Sequence, residues 1–200
     1  MKNYKYKVNE IFYSVQAEGS MTGRPAVFVR FSGCNLKCHF CDTKHDNGRF
    51  YTSKQIEDRI NKLDPSGKAM VVLTGGEPTL QLHEDDPIGK SREIVAIETN
   101  GTNYIPSWVT FVTISPKTKI TEGMIRVADD VKIVFGTYNM KAMKAIETIM
   151  ELYNRGLGGL FVQPMADETG HFDVAPAMKF IKKNPAWRLS VQWHKLTGVR

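Results

Sequence analysis

Seven short apolar runs recur along the chain, at residues 25–31, 69–74, 94–98, 109–115, 131–135, 160–163 and 188–192, and segments with helical spacing lie between several of them. None approaches the roughly 18 apolar residues of a membrane span, so the runs are strand-sized. Strands alternating with amphipathic helices predict βα units around a parallel sheet. Helices are expected at 52–63, 139–155 and 173–183. In the first, Ile56, Ile60 and Leu63 share a face, and Thr52 with Gln55 has capping-box spacing. In the second, Met143, Ile146, Ile149, Met150 and Tyr153 repeat with helical period up to a stop at Gly156, and the stripe Met140, Met143 and Met150 reads as core packing. Asp173 is the expected cap of the third. Residues 80–93 depart from the pattern: Glu84-Asp85-Asp86-Pro87 and Gly89 leave a crossover whose helix is short or missing.

At 200 residues and 42% apolar content, the chain is expected to form one domain, residues 1–200. Residues 1–10 carry three lysines and no hydrophobic stretch, so no secretory signal is read there and a cytoplasmic location is expected. Lys and Arg outnumber Asp and Glu by 27 to 21, but the basic residues are scattered. That balance suits an anionic ligand and points to neither nucleic acid nor membrane.

Cysteine usage narrows the chemistry. All three, Cys34, Cys38 and Cys41, fall within eight residues directly after the 25–31 strand. An odd, tight cluster is no disulfide framework and reads as metal-binding. Thiolates are the usual ligands of iron–sulfur clusters, and three cysteines for four irons leave one iron open for a small molecule. The alternative is zinc completed by His39 or His45, although zinc sites favour paired Cys-x2-Cys spacing and only the second half fits. Further on, Thr74-Gly75-Gly76-Glu77-Pro78 ends a strand, where two glycines admit a close backbone approach. In parallel α/β folds ligands lie at the carboxyl ends of strands, and each of these motifs falls at such an end.

Cys-x3-Cys-x2-Cys with Phe40 before the last cysteine resembles the radical S-adenosylmethionine superfamily, and the Gly-Gly-Glu-Pro element is similar to the one that holds the methionine ammonium there. The set Glu10-Ile-Phe-Tyr-Ser-Val-Gln16-Ala17-Glu18-Gly19, Arg30, Cys41-Asp42-Thr43, Glu98-Thr-Asn-Gly101, Ser115-Pro-Lys117, Gln163-Pro-Met165 and Gln192-Trp-His194-Lys195 resembles the 7-carboxy-7-deazaguanine synthase family from about residue 9 to the C-terminus. The resemblance implies an incomplete parallel βα barrel. It implies a [4Fe–4S] cluster, S-adenosylmethionine and Mg2+ as cofactors, with a 5′-deoxyadenosyl radical abstracting hydrogen. It also implies a lyase converting 6-carboxy-5,6,7,8-tetrahydropterin to 7-carboxy-7-deazaguanine with loss of ammonia, on the route to queuosine. An electron donor such as flavodoxin and a homodimer follow as expected partners.

Carried over residue by residue, the resemblance implies Cys34, Cys38 and Cys41 as cluster ligands. Phe40, Cys41, Asp42, Gly76, Glu77, Ser115, Pro116, Lys117, Gln163, Pro164, Met165 and Ala166 are implied around S-adenosylmethionine. Val15, Gln16, Ala17, Arg30, Thr74, His194 and Arg200 are implied around the substrate, with Thr43 on magnesium and Glu98 binding substrate or assisting proton transfer. A guanidinium matches a pterin carboxylate through two parallel hydrogen bonds, which suits Arg30; a plain ion pair is the bland reading. Ala17 stands where the family commonly has glycine, so the backbone there must tolerate a Cβ. Two other readings stay open. One is an activase of a glycyl-radical enzyme, which would not need Arg30 or the terminal Gln-x-His-Lys. The other is a metal-bearing nucleic-acid module, which would need a basic, aromatic face.

Overall fold

The computed structural model describes residues 4–41, 43–118, 120–153, 158–165 and 171–199, with backbone alone for Leu152 and Tyr153. Asp42, Ala166 and Arg200, and the expected helix end at Arg155 and Gly156, lie outside the described residues. Two compact units emerge: Met1–Gln16 with Gly23–Val112, and Ala17–Thr22 with Thr113–Arg200.

The first unit holds β1 (Tyr6–Val15), β2 (Pro25–Phe31), β3 (Arg49–Tyr51), α1 (Ser53–Leu63), β4 (Met70–Gly75) and β5 (Val95–Thr99), with strand order β3-β1-β2-β4-β5. β2, β4 and β5 are parallel as expected. β1 and β3 are not: β1 runs antiparallel to both β2 and β3. Both escape a search for continuous apolar runs, because β1 alternates and β3 is short and exposed. α1 starts as expected, with Thr52 and Gln55 closing a reciprocal capping box and Ile56 and Ile60 buried.

The 80–93 crossover contains no helix beyond a 3-10 turn at Pro78–Leu80. Side chains do the anchoring instead. Arg92, with a side chain 1% exposed, pairs with Asp64 at 2.9 Å and also donates to Asn61 and the Asp64 carbonyl. Ile88 is fully buried, and Glu57 accepts from the backbone N–H groups of Gly89 and Lys90. At the N-terminal side His83 stacks on Tyr4, with ring centroids 3.7 Å apart. The clamps replace the apolar face a crossover helix would have buried.

The second unit holds β6 (Phe111–Ile114, entering at Thr113), α2 (Glu122–Arg126), β7 (Asp130–Val134), α3 (Met140–Tyr153), β8 (Gly159–Gln163), α4 (Ala175–Lys183), β9 (Trp187–Leu189) and α5 (Trp193–Thr197). β6 to β9 are parallel and in sequence order. β9 is shorter than the 188–192 run, because the chain turns into α5. Met143 and Met150 are core as expected, but Met140 is 54% exposed: it opens α3 before the helix reaches the sheet. Asp173 lies one residue before the cap position and accepts from the Ala175 N–H. The strands form an open α/β arrangement, and among the described residues no helix is long and apolar enough to cross a membrane.

The buried Arg92–Asp64 pair gives a stability test. Asp64 is held below the ordinary carboxylate range chiefly by the Ser66 hydroxyl, against burial, with Ala69 N–H and Arg92 adding to the lowering. Arg92→Ala should cost about 3–5 kcal/mol at neutral pH by leaving Asp64 buried and unpaired. A carboxyl with a lowered folded-state pKa stabilises fully above its unfolded value and loses that contribution as pH falls. The gap between wild type and variant in urea unfolding should therefore narrow below about pH 4; a gap independent of pH would show that the pair is not what holds the crossover.

Candidate active site

One irregularity in β1 builds the polar end of the first unit. The register slips between Val8 and Glu10, so Val8 opposes Phe31 and Glu10 opposes Arg30. An extra residue in a strand flips every later side chain to the other face. Asn9, at the slip, donates to the Lys44 carbonyl at 2.6 Å and accepts from the Ser32 hydroxyl at 2.5 Å. As a result Glu10, Phe12, Ser14 and Gln16 share the face of Phe28 and Arg30, and Phe12 stacks on Phe28 at 5.1 Å.

Across the strands that face continues, since Arg30 lies beside Thr74 in register and Glu98 follows the Leu73–Ile97 pairing. The row is hydrogen-bonded. Glu10 takes the Arg30 Nε at 2.8 Å, leaving the two Nη nitrogens without a protein partner among the described residues. Glu98 accepts from the Thr74 hydroxyl at 2.9 Å on one oxygen and from the Gln16 amide at 3.1 Å on the other. Four of the residues carried over as substrate or catalytic groups thus lie on one surface: Gln16, Arg30, Thr74 and Glu98. Val15, by contrast, is an exposed strand end.

The cysteine loop follows β2. Cys34 and Cys38 are half-buried and Cys41 is exposed. Burial pushes the Cys34 thiol up, offset in part by the Leu36 N–H at 3.4 Å, with Glu77 and the other two cysteines adding to the rise. Among the described residues no three His, Cys, Asp or Glu side chains converge as ligands of a single ion. The loop's own chemistry, three thiols and no fourth cysteine in the chain, fits a four-iron cluster with one iron left open. Phe40 packs edge-on against His39, and the Thr43 carbonyl lies 3.7 Å from the Cys41 sulfur.

The loop is fixed from behind by the glycine motif. Gly75 has φ +127, and a Cβ there would meet the Phe31 backbone at 2.3 Å. At Gly76 a Cβ would meet the Gly33 carbonyl oxygen at 1.9 Å. Glu77 is completely buried: its carboxylate accepts from the Thr79 N–H and hydroxyl, the Thr99 hydroxyl at 2.6 Å and the Asn100 N–H at 2.8 Å. Asn100 in turn donates to Asn35 at 2.9 Å, and Asn35 to Thr102 at 2.8 Å, which ties the cysteine loop to the end of β5. The Glu77 carboxylate is spent inside the protein, so this residue shapes the loop.

In the second unit Ser115, Pro116 and Lys117 follow β6, and Gln163 ends β8 before Pro164 and an exposed Met165. The Gln163 Oε1 is buried with no hydrogen-bond partner among the described residues, an acceptor that suits a ribose hydroxyl or an ammonium. His194 is half-buried on α5. Ala17 needs no left-handed backbone, since no non-glycine described residue has positive φ. Sequence reasoning missed Glu10, Glu18 and Lys132. Lys132, a lysine in the middle of an apolar strand, pairs with Glu18, and both side chains are nearly buried. Burial raises the Glu18 carboxyl, but Lys132, Gln192 and His194 outweigh it and hold it below the usual range.

Residues 28–152 match the family model for the radical SAM superfamily, which spans most of the chain and places it in that superfamily. The chain is 39% identical to the 7-carboxy-7-deazaguanine synthase of Bacteroides thetaiotaomicron, over 97% of this chain and 98% of that one. It is 33% identical to the 7-carboxy-7-deazaguanine synthase of Burkholderia multivorans, over 97% and 99% respectively. The crystal structure of QueE from Escherichia coli superposes with a TM-score of 0.71 at 25% identity, covering 94% of each chain. This chain belongs to the 7-carboxy-7-deazaguanine synthase family, with the family's open α/β barrel, [4Fe–4S] cluster and S-adenosylmethionine.

The cysteine loop predicts a clean separation of folding from cofactor loading. Cys38→Ala should lose most iron after anaerobic reconstitution and all cleavage of S-adenosylmethionine, with circular dichroism unchanged. Cleavage at the wild-type rate in that variant would remove the cluster assignment.

Proposed function

We propose that this chain converts 6-carboxy-5,6,7,8-tetrahydropterin to 7-carboxy-7-deazaguanine with loss of ammonia, a lyase step in the biosynthesis of queuosine and related 7-deazaguanines. The observation that carries the reading is the row Arg30, Thr74 and Glu98 near the carboxyl ends of β2, β4 and β5, with Glu10 of the antiparallel β1 opposite Arg30. When bound, the cluster and S-adenosylmethionine supply the one-electron chemistry that abstracts a hydrogen atom from the substrate.

Arg30 binds the pterin carboxylate through its Nη pair, because Glu10 already holds Nε and fixes the plane of the guanidinium. Gln16 and Thr74 steer Glu98, so that its carboxylate meets the pterin in one orientation. Glu98 is the group on this surface suited to hold or move a proton. Val15, Ala17, His194 and Arg200 complete the substrate contacts. Phe40, Cys41, Asp42, Gly76, the Ser115-Pro116-Lys117 segment, the Gln163 amide and residues 164–166 contact S-adenosylmethionine, and Glu77 serves it by holding the Gly76 backbone in place. Thr43 would offer a hydroxyl to a magnesium ion, a hard cation that takes oxygen ligands. Residues 1–200 act as one radical S-adenosylmethionine domain, a reading supported by a family match that extends from the first compact unit into the second, as far as residue 152. A flavodoxin-like electron donor, a homodimer and a cytoplasmic location complete the reading.

The direct test is anaerobic incubation of the reconstituted protein with carboxytetrahydropterin; the deazaguanine should form, and cleavage of S-adenosylmethionine without it would overturn the substrate assignment. In the same assay Arg30→Lys should leave iron content and cofactor cleavage intact. It should weaken substrate binding by roughly 1.5–3 kcal/mol, about ten- to a hundredfold, because lysine keeps the charge and loses the fork.

Thr43→Ala should flatten the magnesium dependence of turnover without removing iron, since water can refill one position of the shell. Superimposable magnesium titrations would take Thr43 out of the metal's coordination.

A further inference from the structure

The inner face of the second unit's sheet is charged where a core would ordinarily be apolar. Asp130 and Lys132 point the same way along β7, Phe161 lies beside Lys132 on β8, and Arg188 follows on β9, its guanidinium 4.4 Å over the Phe161 ring. The six-residue segment Ala17–Thr22 occupies that face. Asp130 accepts from the Ser20 N–H at 2.8 Å and the Ser20 hydroxyl at 2.7 Å. Gly19 fits against Asp130 only without a side chain, since a Cβ would meet Oδ2 at 2.6 Å. The Gly19 N–H donates to Ser190 at 3.2 Å, and Arg188 donates to Ser20.

Glu18 is the branch point. One carboxylate oxygen pairs with Lys132, and the other accepts from the Gln192 amide at 3.1 Å. Gln192 is the residue before α5, which begins at Trp193 and carries His194. Glu18 therefore joins three things: the segment containing Ala17, a buried lysine of the central strand, and the start of the terminal helix. A buried charge pair is a costly way to gain stability alone, since well-packed apolar residues of similar volume do as well or better.

We infer that the Glu18–Lys132 pair is a positioning device for substrate binding, which locks the Ala17 segment and the His194 turn into one arrangement through the Gln192 amide. This rests on the roles proposed above for Ala17 and His194. Neither Glu18 nor Lys132 touches the substrate; they act on the residues that do. Losing the lock should appear in substrate affinity and in the mobility of the C-terminal turn, while cofactor cleavage, which depends on the cysteine loop, continues.

The test is the double variant Glu18→Leu with Lys132→Met, which removes both charges together and keeps apolar volume. Its Tm should stay near that of wild type. Its KM for carboxytetrahydropterin should rise about tenfold or more, the loss expected for one charged hydrogen bond, with kcat within about twofold. Limited trypsin digestion read by mass spectrometry should show faster cleavage after Lys195. Wild-type KM together with wild-type cleavage at Lys195 would overturn the proposal and leave the pair as packing. If wild type does not turn over the pterin, faster cleavage at Lys195 in the double variant would uphold the lock, and the substrate assignment alone would fall. Should the double variant fail to fold, Gln192→Leu, which removes the amide link to Glu18 and keeps the ion pair, carries the same expectations.

Discussion

The first unit's chemistry hangs on one buried carboxylate, Glu77, that pairs with no cation among the described residues. Glu77 is neutralised by donors alone, two backbone N–H groups and two hydroxyls, drawn from its own turn and from the end of β5. A buried charge is tolerated when hydrogen bonds replace its hydration. The consequence here is spatial. With Glu77 fixed, the backbone at Gly75 and Gly76 lies flat against the end of β2, and Asn100 is placed to grip Asn35 inside the cysteine loop. The three thiols lie on a loop tied down through Asn35, so their arrangement depends on a residue over thirty positions downstream.

The parallel strands and α1 were legible because their signals are local. Apolar runs of four to seven residues, a capping box and strand-ending Gly-Gly or proline each act within a few residues. The cysteine spacing was legible for the same reason. What stayed hidden depends on register. Nothing in Val8-Asn9-Glu10 announces a slip, yet that slip turns Glu10, Phe12 and Gln16 onto the face of Arg30 and decides that Glu10 orients the guanidinium. The helix-free 80–93 crossover was legible in outline from its proline and acidic run, but not its clamps, since Arg92 finds Asp64 across 28 positions.

The second unit shows how far a motif reading reaches before packing overrides it. Gln163 and His194 could be singled out from their segments, and the Gln163 oxygen is buried with no hydrogen-bond partner among the described residues. Lys132 could not, although a lysine between Val131 and Ile133, both fully buried, breaks the apolar pattern of β7 and is the kind of local conflict that marks a functional position.

The membership of Ala17–Thr22 in the second unit bears on how the chain folds as it is made. The hydrogen bond from Gln192 to Glu18 spans 174 positions, and Gly19 reaches Ser190 across 171. Contacts of such separation form late, after the loop-closure entropy of the intervening chain has been met. On the ribosome the early hexapeptide emerges long before β7 and β9 exist to receive it. The second unit therefore cannot close on its own charged face until β9 and the residues up to Gln192 have been made, and residues near position 190 complete an arrangement begun by residues near position 20.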